Sequence, residues 1–206
     1  ALVLNPGTPE DIWINAMILA GKRANKANKP VILDPVGSGA TDYRTNVCKR
    51  IIQEVKLKVI RGNASEIISL SEQGVGGKGV DSTHSSDAAL ETAKKLAGDN
   101  NLIVAVSGEK DYITDGKKVA VIEGGNPLIT FITGMGCSLT SITGAFLAIS
   151  VDSFEASVAA HVVFKVCAEI AGMDAKAPAS FEIRFVDALF QLTDKEIQKM
   201  AKVKLI

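Results

Sequence analysis

The stretch "FITGMGCSLTSITGAFLAIS", residues 131–150, places Gly134, Met135, Gly136 and Cys137 at the mouth of an apolar, small-residue run that reads as a helix. Successive backbone N–H groups at a helix N-terminus form a ready anion site, reinforced by the helix dipole. Glycines let the backbone turn through positive φ and approach the anion closely. Arg61, in "VIRGN", offers a planar positive fork suited to phosphate. Asp34, in "VILDPVG", and Glu66, in "NASEI", are hard oxygen ligands suited to Mg²⁺, directly or through water. Together these are parts of a phosphoryl-transfer site.

Each part also has a plainer reading. A lone GxG before a helix is more often a loop than a phosphate cradle. Cys137 packs well as a small buried residue. Asp34 before Pro35 can initiate a turn, Glu66 can complete a capping box with Asn63, and Arg61 can sit in an internal ion pair. His84 and His161 read as structural. The glycine-rich stretch 73–83, "QGVGGKGVDST", is not a Walker loop, because Gly79 follows Lys78 where Ser or Thr is required.

The elements that must position these groups favour the site. Apolar runs at 1–5, 31–36, 57–63 and 102–108 read as strands, each ending in polar residues: Asp34, then Arg61 and Asn63, then Ser107 and Glu109. Helices fall between them. The first has Thr8 as cap, Pro9 in its first position and Ile12, Ala16, Leu19 and Ala20 at helical spacing. Others fall near 42–54, after Asn63 and near 85–98. Alternating strands and helices predict an α/β fold with a mostly parallel sheet, in which ligands bind at the carboxyl ends of the strands. All the polar residues named above then meet at one edge. Around Asp115-Gly116 the alternation predicts a β-hairpin. "PLITFIT" reads as another extended stretch. From 137 onward the chain reads as helices only, at about 137–150, at 153–172 and in two shorter segments after Pro178.

Composition bounds the remaining classes. The 206 residues are 47% hydrophobic and 22% charged, enough for one α/β domain over 1–206 with a real core. A formal net charge of zero lacks the basic excess of a nucleic-acid surface. The run after Cys137 is too short and polar for a membrane span. Cys48, Cys137 and Cys167 are widely spaced and odd in number, which reads as reduced thiols in a cytoplasmic protein. No GxGxxG follows the first strand, which disfavours a dinucleotide-binding oxidoreductase. A non-catalytic nucleotide-binding or assembly protein remains a rival.

Five segments in order, "VILDPVGSGATDYR", "VIRGNASEI", "VAVSGEKDYITDG", "TGMGCSLT" and "APASFEIRFVDALFQL", resemble the hydroxyethylthiazole kinases of the ribokinase-like superfamily. The resemblance runs from residue 1 to about 192. It implies a three-layer fold with a central, mostly parallel sheet flanked by helices. It implies phosphorylation of the hydroxyl of 4-methyl-5-(2-hydroxyethyl)thiazole by ATP with Mg²⁺, in thiamine salvage. Another ribokinase-like small-alcohol kinase is the nearest alternative. A cytoplasmic homotrimer with active sites between subunits is also implied.

Carried over by motif, Arg61 and Ser107 resemble ATP contacts, and Gly134 resembles a thiazole contact. Gly134, Met135, Gly136 and Cys137 resemble the anion hole, and Asp34 and Glu66 the acids of the Mg²⁺–phosphate site. Ser107 stands where the family more commonly has Thr, and "APASF" replaces "GPGSF". The superfamily generally has Asp at the position of Cys137, which makes Cys137 an orienting group or a modest base. Family members carry roughly sixty further residues at the front, consistent with usual domain sizes. The chain, starting in "ALVLN" without Met, is expected to lack that segment, which holds much of the thiazole pocket.

Overall fold

A computed structural model describes residues 1–71 and 86–206. The glycine-rich stretch 73–83 and His84 lie outside the described residues.

The strands β1 (Leu2–Leu4), β2 (Val31–Leu33), β3 (Val59–Asn63) and β4 (Ile103–Ser107) pair in sequence order and run parallel. Between them lie α1 (Asp11–Lys26), α2 (Asp42–Glu54), and then α3 (Ala64–Leu70) with α4 (Leu90–Asn100). Right-handed crossovers between strands laid down in order put every connecting helix on one face. The strands show this by alternation. Val31, Leu33, Val104 and Val106 pack with Ile14, Ile18, Cys48, Ile51, Ile67 and Ala93 of those helices. Their neighbours Ile32, Val59, Ile103 and Ala105 point to the other face.

Beyond β4 the sheet turns antiparallel. β5 (Asp111–Thr114) and β6 (Val119–Glu123) form the expected hairpin. Its turn is closed by Asp115, which accepts from the Lys117 and Lys118 amides at 2.9 Å. β7 (Lys202–Leu205) completes a seven-stranded mixed sheet, antiparallel to β6. The helix-only reading of the C-terminal part is corrected here. The K-V-K-L alternation is that of a short edge strand, protected from further pairing by its lysines.

The second face is covered by α5 (Met135–Ile149) and α6 (Ser153–Asp174). Leu147, Phe154, Val162 and Val166 meet Ile32, Val59 and Ile113 there. α6 is long and apolar enough to cross a membrane by length and composition, but 61% of that window is buried inside the fold. α7 (Pro178–Gln191) packs outside α6, with the Phe164 and Phe185 rings edge to face at 4.9 Å. α8 (Asp194–Met200) leads into β7.

Two further expectations change. α1 starts at Asp11 with Glu10 as N-cap and no side-chain cap bond, so Thr8 does not cap it. Its buried face is Ile14, Ile18 and Gly21, whereas Ile12 and Leu19 are 75% and 60% exposed. Both sets fit helical spacing, and the sequence of α1 is apolar on two faces. "PLITFIT" is not a strand: Pro127–Phe131 is a 3-10 helix, because the Asn126 side chain accepts from the Leu128 amide and caps it.

Candidate active site

β2 ends at Leu33, so Asp34 leaves the sheet at its carboxyl edge, with its amide still bonded to Leu4 O at 2.9 Å. Arg61 lies one strand over, opposite Ala105 of β4. Arg61 is buried, at 5% exposure, and its guanidinium bridges three elements. Nη1 lies 3.6 Å from Asp34 Oδ1 and donates to Thr140 Oγ1 of α5 at 3.3 Å, while Nη2 donates to Ser107 Oγ at the end of β4. Arg61 Nε has no partner among the described residues. The edge predicted from strand ends is therefore assembled around Arg61, in the internal ion pair that was its plainer reading.

The other Asp34 oxygen, Oδ2, accepts from Thr140 Oγ1 at 2.8 Å and from Asn5 Nδ2 at 3.3 Å. Burial pushes the Asp34 carboxyl above its ordinary value, against the pull of Arg61 and of the bonds from Thr140 and Cys137. Asn5 Nδ2 also reaches Cys137 Sγ at 3.2 Å, so one side chain holds both the acid and the thiol. Asn5 and Thr140 were not foreseen. The signal for Asn5 was present, since it is the polar residue ending the first strand.

Glu66 realises its capping reading and adds to it. Its Oε2 accepts from the Asn63 amide at 2.8 Å, and its Oε1 accepts from the Gly37 amide at 3.0 Å. It thereby ties the loop after β2 to the start of α3. Burial raises its carboxyl also, opposed by those two amides. Asp34 Oδ2 already accepts two bonds, whereas Asp34 Oδ1 and both Glu66 oxygens each have one protein partner and keep a second lone pair. No cluster of three or more His, Cys, Asp or Glu side chains that could cage a metal exists among the described residues. The two acids fit a hydrated Mg²⁺ held through its waters and by phosphate, not a cage.

Gly134 caps α5 at φ +90° in the left-handed region. The positive φ therefore lies at Gly134 and not at Gly136. The first helical bond runs from the Ser138 amide to Gly134 O at 2.8 Å. The amides of Met135, Gly136 and Cys137 consequently have no intrahelical acceptor, and they open at the positive end of a 15-residue helix.

A cavity of about 980 Å³ begins at Arg61, Ser107, Gly134 and Gly136 and extends to Lys165 and Asn126. A second recess of about 400 Å³ adjoins it across the turn Ser107–Lys110. Asp34 and Cys137 are outside the lining of both. Such an arrangement can hold a polyanion against Arg61 and the free amides. His161 is wholly buried, in keeping with the structural reading, and its partners are Asp111 and, through it, Lys165. Those two residues were missed, because Lys165 lies more than fifty residues from the turn it grips and nothing local marks Asp111 as its partner.

A family model described as hydroxyethylthiazole kinase family matches residues 1–195. The chain belongs to the hydroxyethylthiazole kinase family. The hydroxyethylthiazole kinase of Desulfotalea psychrophila is 44% identical over 204 residues, covering 99% of this chain and 75% of its own length. That of Moorella thermoacetica is 44% identical, over 100% of this chain and 77% of its own. The solved hydroxyethylthiazole kinase protein of Pyrococcus horikoshii OT3 superposes with a TM-score of 0.91 at 34% identity, over 100% of this chain and 77% of that one. The chain thus spans about three quarters of these family members. A pyridoxal kinase from Staphylococcus aureus, solved with AMP-PCP and pyridoxal, shares the fold at a TM-score of 0.62 and 17% identity, over 99% of this chain and 72% of that one.

Proposed function

We propose that this protein transfers the terminal phosphoryl group of ATP to the hydroxyl of 4-methyl-5-(2-hydroxyethyl)thiazole, yielding the thiazole phosphate for thiamine salvage. The observation that carries the chemistry is Arg61, buried between Asp34 and Ser107 and facing the free amides of α5. Family membership supplies the acceptor.

In this reading the ATP phosphates enter the large cavity against Arg61 and the amides of Met135, Gly136 and Cys137. Asp34 holds the guanidinium in place through its charge, and Thr140 fixes both partners. The acceptor hydroxyl approaches beside Cys137, whose thiol is oriented by Asn5. Gly134, at the shared rim, contacts the thiazole side. Phosphoryl transfer passes through a loose transition state, so holding and neutralising the transferring group matters more than early proton removal. The cradle and Arg61 therefore contribute most, and Cys137 orients the alcohol or accepts its proton late. Mg²⁺ held through water by Asp34 and Glu66 would neutralise phosphate charge.

The same reading includes a cytoplasmic homotrimer with sites shared between subunits. Supporting it are three free cysteines and the exposed apolar residues Ile12, Trp13 and Leu19 on α1. The test is turnover of ATP with the thiazole alcohol, with a pyrimidine alcohol and with a sugar, with and without Mg²⁺. Preference for either rival acceptor overturns the substrate assignment. Light scattering that finds a fully active monomer overturns the assembly.

A further inference from the structure

Lys165 crosses from α6 to the turn after β4, where its ammonium makes two hydrogen bonds and an ion pair. Nζ donates to the carbonyls of Gly108 at 2.8 Å and Glu109 at 2.9 Å, and it faces Asp111 Oδ1 at 3.2 Å. Its charge is thereby committed to this turn and to Asp111. Asp111 is itself saturated. Its Oδ1 also accepts from the Gly108 amide at 2.9 Å, and its Oδ2 pairs with His161 Nδ1 at 2.8 Å. Burial alone would raise the Asp111 carboxyl, but His161, Lys165 and the Gly108 amide outweigh it and hold it below the usual value.

Burying an ammonium and a carboxylate is costly, and apolar residues fill such a space at least as stably. The network must be judged by what it fixes. The turn it grips, Ser107–Lys110, is the wall shared by the 980 Å³ cavity and the 400 Å³ recess. Ser107 at its start is the residue bonded to Arg61. On the opposite side, the Lys165 stem lies against Gly125, where an added Cβ would stand 3.0 Å from Cδ. Lys165 is a post between two walls of the large cavity.

We propose that Lys165, held by Asp111 and His161, is a positioning residue for the nucleotide: it fixes the Gly108–Glu109 turn, and with it Ser107 beside Arg61, before ATP enters. The inference rests on the large cavity being the nucleotide site. A wall fixed in advance spares the ordering that ATP binding would otherwise impose, so its loss weakens nucleotide affinity first.

Lys165→Met keeps the stem and removes the donors. Calorimetric ATP binding without acceptor should weaken by about tenfold or more, since the turn must then order on binding. KM for the thiazole alcohol should stay within about twofold, because Asp34 and Cys137 on the proposed acceptor side are outside the lining of that cavity. Asp111→Asn keeps an acceptor for Gly108 and Lys165 while removing the charge, and should shift ATP affinity in the same direction by less. Unchanged ATP affinity in either folded variant overturns the proposal. So does a rise in both KM values in step with a lower Tm, which is the mark of general loosening. In the unaltered protein, the Gly108 amide should exchange slowly before ATP is added, and fast exchange that ATP suppresses overturns it even if both variants fail to fold. Binding is read without acceptor, so a protein that binds ATP but ignores the thiazole fails the substrate assignment and leaves this inference standing.

Discussion

The guanidinium of Arg61 crowds the space that a side chain at Gly136 would enter. A Cβ there would stand 3.1 Å from Nη1 and 3.2 Å from Nη2. Helix start and cationic fork are thus in close contact, and a side chain at position 136 needs the guanidinium to give way, whereas the φ of Gly136 imposes no such demand.

Gly136→Val should therefore displace Arg61 and spoil the aim of the amides together. Loss of one oxyanion-type donor costs about two to three decades in rate, and Gly136→Val should cost at least that in kcat. Cys137→Ser should cost less, because proton removal is late in a loose transition state. Cys137→Asp should remain active, since a carboxylate is ionised at neutral pH. Turnover numbers with folding checked by circular dichroism decide the order. A Cys137→Ser enzyme as impaired as Gly136→Val, with ATP binding intact, would mean that the base outranks the cradle.

Gly134 presents the opposite case. It sits at φ +90°, and nothing lies within 4 Å of an added Cβ. Gly134→Ala has room but bears left-handed strain of about 1–2 kcal/mol. Gly134→Asn should cost less, because Asn tolerates that region better. Urea unfolding of both variants measures this. Equal stability of Gly134→Ala and the parent protein would refute the strain.

The site was legible where strands end, because the carboxyl edge of a parallel sheet gathers whatever polar residues close each strand. Asp34, Arg61 and Ser107 were placed there that way, and Glu66 joined them from the first turn of the helix after β3. The Asn63–Glu66 capping box was legible because both partners lie within one turn. Lys165 was not, and neither was the role of Asp111 as its partner, since their contact joins α6 to a turn more than fifty residues away. The buried face of α1 was misread because Ile12 and Leu19 offer a second apolar stripe, and periodicity cannot say which stripe meets the sheet. β7 was missed because four residues carry too little alternation to outweigh the helices before them.

Acidification should silence the enzyme before it unfolds it. Burial raises the folded value of Asp34 above its unfolded one, so its contribution to stability is present below the unfolded value and lost as pH rises through the folded one. Asp111 is lowered, so its contribution is present above the unfolded value and lost as pH falls through the folded one. As pH drops, Asp34 gains its proton first and releases its hold on Arg61 while Asp111 still supports the fold. The acid limb of kcat/KM should lie above the ordinary carboxylate range near about 4, with ellipticity still native. Activity and ellipticity lost together on one pH curve would overturn this ordering.

Thiol chemistry should separate the three cysteines. Cys48 is fully buried, and burial pushes its thiol up to about 12, with the Glu66 charge adding to the shift. Cys167 is likewise fully buried and pushed up to about 12, by burial and then the Glu196 charge. Thiolates are the reactive species, so both should stay silent in the folded protein at neutral pH and mildly alkaline pH. Cys137 is only half-buried and lies in the first turn of α5 beside the free amides. An aromatic disulfide reagent should therefore titrate one thiol in the native protein and three after denaturation. Modification of Cys137 puts bulk on the acceptor side of Arg61, so phosphoryl transfer should stop while ATP still binds in the cavity. Preincubation with the thiazole alcohol should slow the reaction, and ATP alone should slow it less. Peptide mapping that finds the label on Cys48 or Cys167, or equal protection by both substrates, would contradict the division of the site into a phosphate side and an acceptor side.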